Sequence, residues 1–212
     1  MSENYQVPTA KEILEMLKDN KKEVIKGFSD VINENACYKR NVFVGDIEPE
    51  VGESVEAIIR FYNQLDDEMD IAVEDREPIK IIIDSNGGDV CATFTMIDAI
   101  KMSKTPVWGI NIGSAYSGGF FTLISCHKRI AYPHSSFLFH EGSTAAGGTS
   151  GQFENFGAFY RKQLAQLKKL VIENTKITEE EYSDIKKDDI WYDADEALEK
   201  GIIDEIAKEL IY

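Results

Sequence analysis

Short apolar strands and helices alternate between about residues 40 and 131, and this alternation restricts the fold more than any other feature. The run Ile81-Ile82-Ile83 is continuously apolar, as expected for a strand buried on both faces of a parallel sheet. Strands are predicted at 40–44, 78–83, 106–112, 128–131 and 136–140, and helices at 51–65, 89–102 and 117–125. Since parallel strands joined by helices require right-handed βαβ crossovers, we expect an α/β fold with a helix-flanked sheet.

The segments on either side of this region are predicted to be mainly helical. Before it, apolar residues recur at helical spacing between about residues 9 and 32. We expect residues 1–39 to form an amphipathic helical extension and residues 40–212 to form the main domain. After it, we expect a mobile Gly-, Ser- and Thr-rich loop at 142–151, a long helix at 152–174, and shorter helices at 179–187 and 193–200.

The charge and the cysteine content of the chain limit the partners that we expect it to bind and the compartment in which we expect it to lie. The 212 residues carry a formal net charge of −15, which argues against binding to nucleic acid or to an anionic membrane surface. No apolar run is long enough to span a membrane. Cys37, Cys91 and Cys126 lack zinc-type spacing, and the N-terminus has no secretory signal. We therefore expect reduced thiols, a cytoplasmic location, and neither a metal nor a cofactor in this chain.

Three short segments supply groups that a serine nucleophile needs. Ser117 follows a buried strand and opens a helix, a setting that can raise a nucleophile above a sheet edge. Gly87 and Gly88 follow another buried strand, where glycine permits positive φ and close approach of the backbone to a ligand. His140 ends an apolar strand just before the Gly-rich loop, a placement suited to a general base.

Each of these features also has an ordinary structural interpretation. Ser117 can be a helix N-cap, and the strict G-x-S-x-G pattern fails at its first position. The glycine pair can be a plain tight turn, and His140 a structural histidine. The other two histidines, His127 and His134, are predicted to lie at the surface.

The acidic partner of the base is the hardest member to choose, because the chain contains 38 Asp and Glu residues. Asp189 precedes the apolar pair Ile190-Trp191, and an Asp that enters a buried aromatic segment can hold an imidazole firmly. Asp84, at the end of a central strand, is the competitor. The residues alone leave this choice open.

Taken in order, these motifs resemble the Clp peptidase family, the serine-protease subunits of ATP-dependent Clp machines, over about residues 40–206. The matching segments are Asp84-Ser85-Asn86-Gly87-Gly88, Gly113-Ser114-Ala115-Tyr116-Ser117-Gly118-Gly119, Leu138-Phe139-His140-Glu141, Asp193-Ala194-Asp195-Glu196-Ala197 and Gly201-Ile202-Ile203-Asp204. Each motif is weak alone, but together they keep the family's order.

The resemblance implies a role for each candidate residue. Ser117 matches the nucleophile, His140 the base and Asp189 the orienting carboxylate, and the backbone N–H groups of Gly88 and Gly118 match the oxyanion hole. It implies a crotonase-like (ClpP) βαβ superhelical fold whose long handle helix, at 152–174, joins two rings. Members form heptameric rings, stacked as a tetradecamer around a chamber in which unfolded polypeptides or short peptides are cleaved, and a partner AAA+ unfoldase uses ATP.

The chain departs from the family pattern in several places. Residues 1–39 stand where the family has a short axial segment, and they could be a propeptide, an altered axial gate or a docking element. Other departures affect the unfoldase-docking strand, the oxyanion turn and a charged pair that bridges ring neighbours. The positions concerned are Lys80 and Ile82, Asn86 and Gly118, and the pair Lys187-Asp188.

Three other functions stay open beside the serine endopeptidase that the resemblance implies. The first is a catalytically silent or gated ring subunit that keeps the fold alone. The second is a Ser-Lys protease of the signal-peptide-peptidase type, which would need a catalytic Lys and usually a membrane anchor. The third is a crotonase-type acyl-CoA hydratase or isomerase, which would have no need of a Ser-His-Asp set.

Overall fold

The computed structural model describes residues 11, 39–142, 144–185 and 189–211. The predicted extension at 1–39 therefore lies outside the described residues, apart from Lys11 and Lys39, as does the pair Lys187-Asp188. The strands are β1 (Asn41–Val44), β2 (Ile79–Ser85), β3 (Val107–Tyr116), β4 (Lys128–Ala131), β5 (Ser136–Phe139), β6 (Ile190–Tyr192) and β7 (Glu205–Ile206). The α-helices are α1 (Pro49–Glu68), α2 (Val90–Met102), α3 (Gly118–Ile124), α4 (Ser150–Asn174), α5 (Glu179–Ile185) and α6 (Ala194–Glu199).

The strands form one seven-stranded sheet, and the predicted α/β fold is confirmed. Its main path runs β1-β2-β3-β4-β7, with every neighbouring pair parallel. The predicted strands and helices between residues 40 and 140 are present, with shifted ends. The short strands β6 and β7 were not predicted from the sequence. Strands of three and two residues are too short to show a periodic pattern. Their backbone hydrogen bonds come from β5 and β4, which lie far away in the chain.

Burial of the central strand on both faces is confirmed. Ile81 and Ile83 are fully buried in the main core beneath the helices. Ile82 points to the opposite face, where it packs in a second, smaller apolar cluster with Ile110 and Ile130. On the helical face, α1 and α2 lie so close that a Cβ on Gly52 would come 2.9 Å from Ala92.

β3 is longer than predicted because it pairs with two different strands. Its first half pairs with β4, and its second half, Ser114–Tyr116, pairs with β5. Between these halves, the buried Asn111 side chain donates to Ser136 O at 3.0 Å and accepts from Gly113 N at 3.1 Å. This extension carries β3 to Tyr116, so that the strand ends directly before Ser117.

The long helix α4 begins with a capping box, in which the side chains of Thr149 and Gln152 each accept a hydrogen bond from the other residue's backbone N–H. Only Leu167, Leu170 and Val171 of this helix are buried. Its first half therefore stands away from the core. In the described part of the chain, no helix has both the length and the apolar character needed to cross a membrane.

A buried ion pair fixes the C-terminal end of α1 against the start of the sheet. The Asp66 carboxylate, which is fully buried, accepts from both terminal nitrogens of Arg40, at 2.6 and 2.9 Å. Thr105 Oγ1 donates to the same carboxylate at 2.7 Å. Three donors on one carboxylate compensate for its lost hydration, and removal of the carboxylate would leave the Arg40 charge buried and unpaired.

We expect Asp66→Ala to lower the free energy of unfolding by about 3–5 kcal/mol, because the cost is that of an uncompensated buried charge. The matched control is Glu56→Ala, which breaks the exposed Glu56–Arg60 pair on the same helix and should cost about 0.5 kcal/mol or less. Urea denaturation followed by circular dichroism, at one protein concentration, measures both. Equal losses in the two variants would contradict this account of Asp66.

Candidate active site

Ser117 occupies a sharp elbow between β3 and α3. Its backbone has φ 50° and ψ −115°, a combination that is strained for a residue with a side chain. Ser117 N donates to Leu138 O at 3.0 Å, and Phe121 N donates to Ser117 O at 3.1 Å. Although Ser117 is at the N-cap position, its side chain accepts no capping hydrogen bond. The ordinary N-cap interpretation therefore does not explain this serine.

The turn that contains Gly87 and Gly88 lies directly against this elbow. Gly87 has φ 94°, and a Cβ placed on it would lie 2.7 Å from Ser117 Cβ. Gly88 has φ 150°, and a Cβ there would lie 2.1 Å from Ile47 O. Both positions require glycine, because a side chain would meet neighbouring atoms at distances that real Cβ atoms do not adopt.

The backbone at Gly88 and at Gly118 borders the same space in front of Ser117. Ile47 N donates to Gly87 O at 2.8 Å, and Asp89 N donates to Ile47 O at 2.7 Å. Because successive N–H groups alternate in an extended chain, the N–H of Gly88 is directed away from Ile47. Gly118 is the first residue of α3, and N–H groups in the first turn of a helix have no acceptor within it. Gly88 and Gly118 both line the cavity in front of Ser117.

His140 and Asp189 meet because of the pairing between β5 and β6. These strands are antiparallel, with Phe139 opposite Ile190, so that the residue after Phe139 lies opposite the residue before Ile190. His140 Nδ1 is 3.4 Å from Asp189 Oδ1. The Asp189 side chain is 61% exposed, so its expected burial in an aromatic segment was wrong for the single chain. Strand pairing, and not desolvation, brings the carboxylate to the imidazole.

Asp84, the competing carboxylate, has a different task. Its Oδ1 accepts from the backbone N and the Oγ of Ser114, at 2.9 and 2.6 Å. A Cβ placed on Gly113 would lie 2.6 Å from this oxygen. Asp84 thus supports the extended part of β3, and it makes no ion pair with a histidine in the described part of the chain.

The other two histidines lie outside the cavity. His127 Nδ1 accepts from Val107 N at 2.9 Å, and partial desolvation of the imidazole, with the nearby Lys101 charge, lowers the pKa of this histidine although the residue as a whole is exposed. His134 is exposed in the turn between β4 and β5, as predicted. His127 is also exposed, but its ring hydrogen bond gives it a structural role that the sequence did not indicate. Within residues 11, 39–142, 144–185 and 189–211, no group of three or more His, Cys, Asp or Glu side chains is arranged to hold a metal ion.

A cavity of about 150 Å³ joins the candidate residues. Ser117, Gly118, Gly88 and His140 form one side of it. In the described residues the two side chains of Ser117 and His140 share this space without a mutual hydrogen bond. Catalytic hydrogen bonds are often long before substrate binds. The remaining lining residues are Val90, Thr93, Phe121, Glu141, Gly142, Tyr160, Gln163, Leu164 and Leu167.

The sequence did not reveal the contribution of α4 to this cavity. Tyr160 donates from its hydroxyl to Glu141 O at 3.2 Å, which ties the helix to the segment that follows His140. Burial and the nearby Glu141 carboxylate raise the pKa of Tyr160. Tyr160 and Gln163 lie about twenty residues from His140 in the chain, and no local pattern singles them out.

Comparison with known proteins places this arrangement in a family context. The family model for Clp protease matches residues 31–210. ATP-dependent Clp protease proteolytic subunit 2 of Treponema denticola is 33% identical over 134 residues, which cover 62% of this chain and 67% of that protein. The subunit 2 proteins of Corynebacterium efficiens and Thermobifida fusca are 29% and 34% identical, over 85% and 64% of this chain and 88% and 68% of their own lengths.

We expect Gly87→Ala to destabilise the fold by about 2 kcal/mol or more, because it combines an unfavourable φ with a clash at the Ser117 elbow. Gly147→Ala is the control, since a Cβ there meets nothing within 4 Å and Gly147 lies in a loop. Thermal denaturation of the two variants beside the parent protein measures the difference. A Gly87→Ala variant as stable as Gly147→Ala would show that the two turns are not in close contact.

Proposed function

The chain belongs to the Clp protease family, and we propose that this serine endopeptidase cleaves peptide bonds with a triad of Ser117, His140 and Asp189. Its fold is the crotonase-like (ClpP) α/β fold of that family. One observation carries the proposal. The strained Ser117 elbow and His140 line the same cavity, and His140 Nδ1 lies 3.4 Å from a carboxylate oxygen of Asp189.

In the proposed reaction, Ser117 Oγ attacks the carbonyl carbon of the peptide bond while His140 Nε2 accepts the hydroxyl proton. The carbonyl oxygen becomes an oxyanion, to which the N–H groups of Gly88 and Gly118 donate. The C–N bond then breaks as His140 returns the proton to the leaving amine, and an ester to Ser117 remains. Water, deprotonated by His140, attacks this ester, and the proton returns to Ser117 Oγ as the carboxylic product leaves.

Asp189 has a supporting part in this scheme. By accepting a hydrogen bond from Nδ1–H, it keeps the tautomer of His140 in which Nε2 is free to act as a base. It also stabilises the imidazolium that forms during each step. The 3.4 Å separation supports this role, and a small movement of either side chain would make it a full hydrogen bond.

We expect a fluorophosphonate serine probe to label Ser117, as read by mass spectrometry of the purified particle. Ser117→Ala and His140→Ala should each lower peptide turnover by about 10³-fold or more, because the set acts as a unit. The control Ser183→Ala changes an exposed serine outside the cavity and should keep both labelling and turnover. Full peptidase activity in Ser117→Ala would contradict the assignment.

The same labelling experiment separates the active enzyme from a silent or gated ring subunit. Light scattering on the labelled sample reports the size of the particle. Labelled Ser117 in a large particle supports an active chamber. An intact ring that takes up no probe would favour the silent or gated subunit. Lack of both labelling and assembly would contradict the proposal as a whole.

We further propose that the subunits form heptameric rings, stacked as a tetradecamer. The support comes from α4, whose first half exposes Phe153 at 60% and Phe159 at 56%. Phe156 stacks on Tyr160 with the two rings 9° from parallel, which extends the aromatic surface of this helix. A monomer that exposed such a face would tend to associate, and the proposed contact of α4 between two rings would cover it.

We expect the double substitution Phe153→Asp and Phe159→Asp to separate the particle into rings of half its mass, since each new carboxylate would be buried unpaired in the proposed contact. Multi-angle light scattering after size exclusion measures the mass. Met102→Asp is the control, because Met102 is 76% exposed at the end of α2, away from α4. An undiminished mass in the double variant would remove α4 from the assembly contact.

A partner AAA+ unfoldase that uses ATP is proposed to deliver the substrates. The strand at which the family has its docking tyrosines is β2, where this chain has Lys80 and Ile82. Both are buried, at 6% and 7% exposure, and burial lowers the pKa of Lys80. Because neither residue is aromatic and both are buried, these two positions offer such a partner no exposed aromatic side chain.

We also propose a cytoplasmic location, in keeping with the free thiols of Cys91 and Cys126.

A further inference from the structure

One acidic residue, Glu141, lines the cavity in front of Ser117. Among the described residues that line the cavity, Glu141 is the only Asp or Glu, and no Lys or Arg is present. Glu141 directly follows His140, and its backbone carbonyl is held by the hydroxyl of Tyr160 at 3.2 Å. This hydrogen bond fixes the position of Glu141 between the candidate base and α4.

The Glu141 carboxylate has no cationic partner in the described part of the chain. Lys168 lines an adjoining cleft with Glu141 and Tyr182. Lys168 Nζ pairs instead with Glu179 Oε2 at 3.0 Å, and it also lies 5.7 Å above the centre of the Tyr182 ring. Among the described residues, Glu141 therefore brings to the cavity a negative charge that no ion pair neutralises.

Two tyrosines, Tyr160 and Tyr182, lie close enough to Glu141 for its charge to affect their pKa values. The Glu141 carboxylate contributes, after burial, to the raised pKa of Tyr160 and to that of Tyr182, which is raised to about 12. Both hydroxyls therefore stay protonated near neutral pH, and neither adds charge to the cavity. Glu141 is half-buried, and a carboxylate at such a site attracts a cation more strongly than it would in bulk water.

The remaining walls suit a long side chain with an apolar stem. Val90, Phe121, Leu164 and Leu167 supply apolar surface, and Gln163 supplies a side-chain amide beside Glu141. The methylene groups of Lys or Arg can pack on such surface while the charged end reaches a carboxylate. A short acidic side chain would meet repulsion in the same place, and a purely apolar one would leave Glu141 partly desolvated without a partner.

We propose that Glu141 is a specificity-determining residue, and that the cavity prefers a basic side chain, Lys or Arg, on the substrate residue whose carbonyl is attacked. This inference rests on the proposed peptidase function, because it assigns the side-chain preference of that same site. The preference is set by the charge of Glu141 together with the length of the apolar walls.

The test compares fluorogenic peptides that differ only at the residue before the cleaved bond, which is lysine, norleucine or glutamate. Norleucine has nearly the shape of the lysine stem without its charge, so that the lysine to norleucine ratio of kcat/KM isolates the electrostatic part. We expect this ratio to be about 5 in the parent protein and to fall about fivefold, to near one, in Glu141→Gln, as for the loss of one partly exposed charge pair. Glu180→Gln makes the same change of charge at an exposed position outside the cavity and should leave the ratio as it is.

A second measurement keeps the inference testable apart from catalysis. Binding of the lysine and norleucine peptides to Ser117→Ala, followed by fluorescence anisotropy, should show the same preference, and Glu141→Gln in that background should remove it. A ratio near one in both measurements, or a ratio that Glu141→Gln does not change, overturns the inference. If turnover depends on Ser117 while the ratio is near one, the proposed function stands and only the specificity fails. If binding prefers the lysine peptide but the parent protein cleaves none of the three peptides, the specificity stands and the catalytic proposal fails.

Discussion

The divided pairing of β3 is the constraint on which the rest of the site depends. One strand pairs with β4 along its first half and with β5 along its second half, and the buried Asn111 amide satisfies backbone groups where the partners change. The second half continues past the point at which β4 stops, and so it raises Ser117 above the helix-covered core. β5 in turn pairs with β6, so His140 and Asp189 both take their positions from this branch.

Close contact between two backbone turns fixes the part of the site that strand pairing does not position. The Gly87-Gly88 turn approaches the Ser117 elbow to within a distance that a Cβ would exclude. The strained φ of Ser117 is held by hydrogen bonds on both sides of the residue, as is usual where surrounding structure over-determines an unfavourable conformation. Gly88 and Gly118, which belong to two separate turns, thereby line one cavity.

Charge is distributed unequally between the core and the site. Asp66 and Arg40 are buried together and compensate each other, which joins α1 to the sheet at the end away from the cavity. Glu141 lines the cavity without an ion pair to any described residue, and the Asp189 side chain is exposed to solvent. The buried pair stabilises one packing of α1 on the sheet. The carboxylates at the cavity are not enclosed by the core in this way.

The sequence by itself determined the class of fold and the candidate residues. Continuous apolar strands such as Ile81-Ile82-Ile83 have to be buried on both faces, and the glycines and the serine at strand ends are local features that one segment can specify. Only the tertiary structure shows that Asp189, and not Asp84, lies beside His140, because both residues adjoin strands and the outcome depends on whether β6 pairs with β5. It also decided that Tyr160, Gln163 and Glu141 share one cavity with Ser117. Such contacts join segments that lie far apart in the chain. Periodicity can be read from neighbouring residues, but long-range packing cannot, because the residues next to either partner do not depend on it.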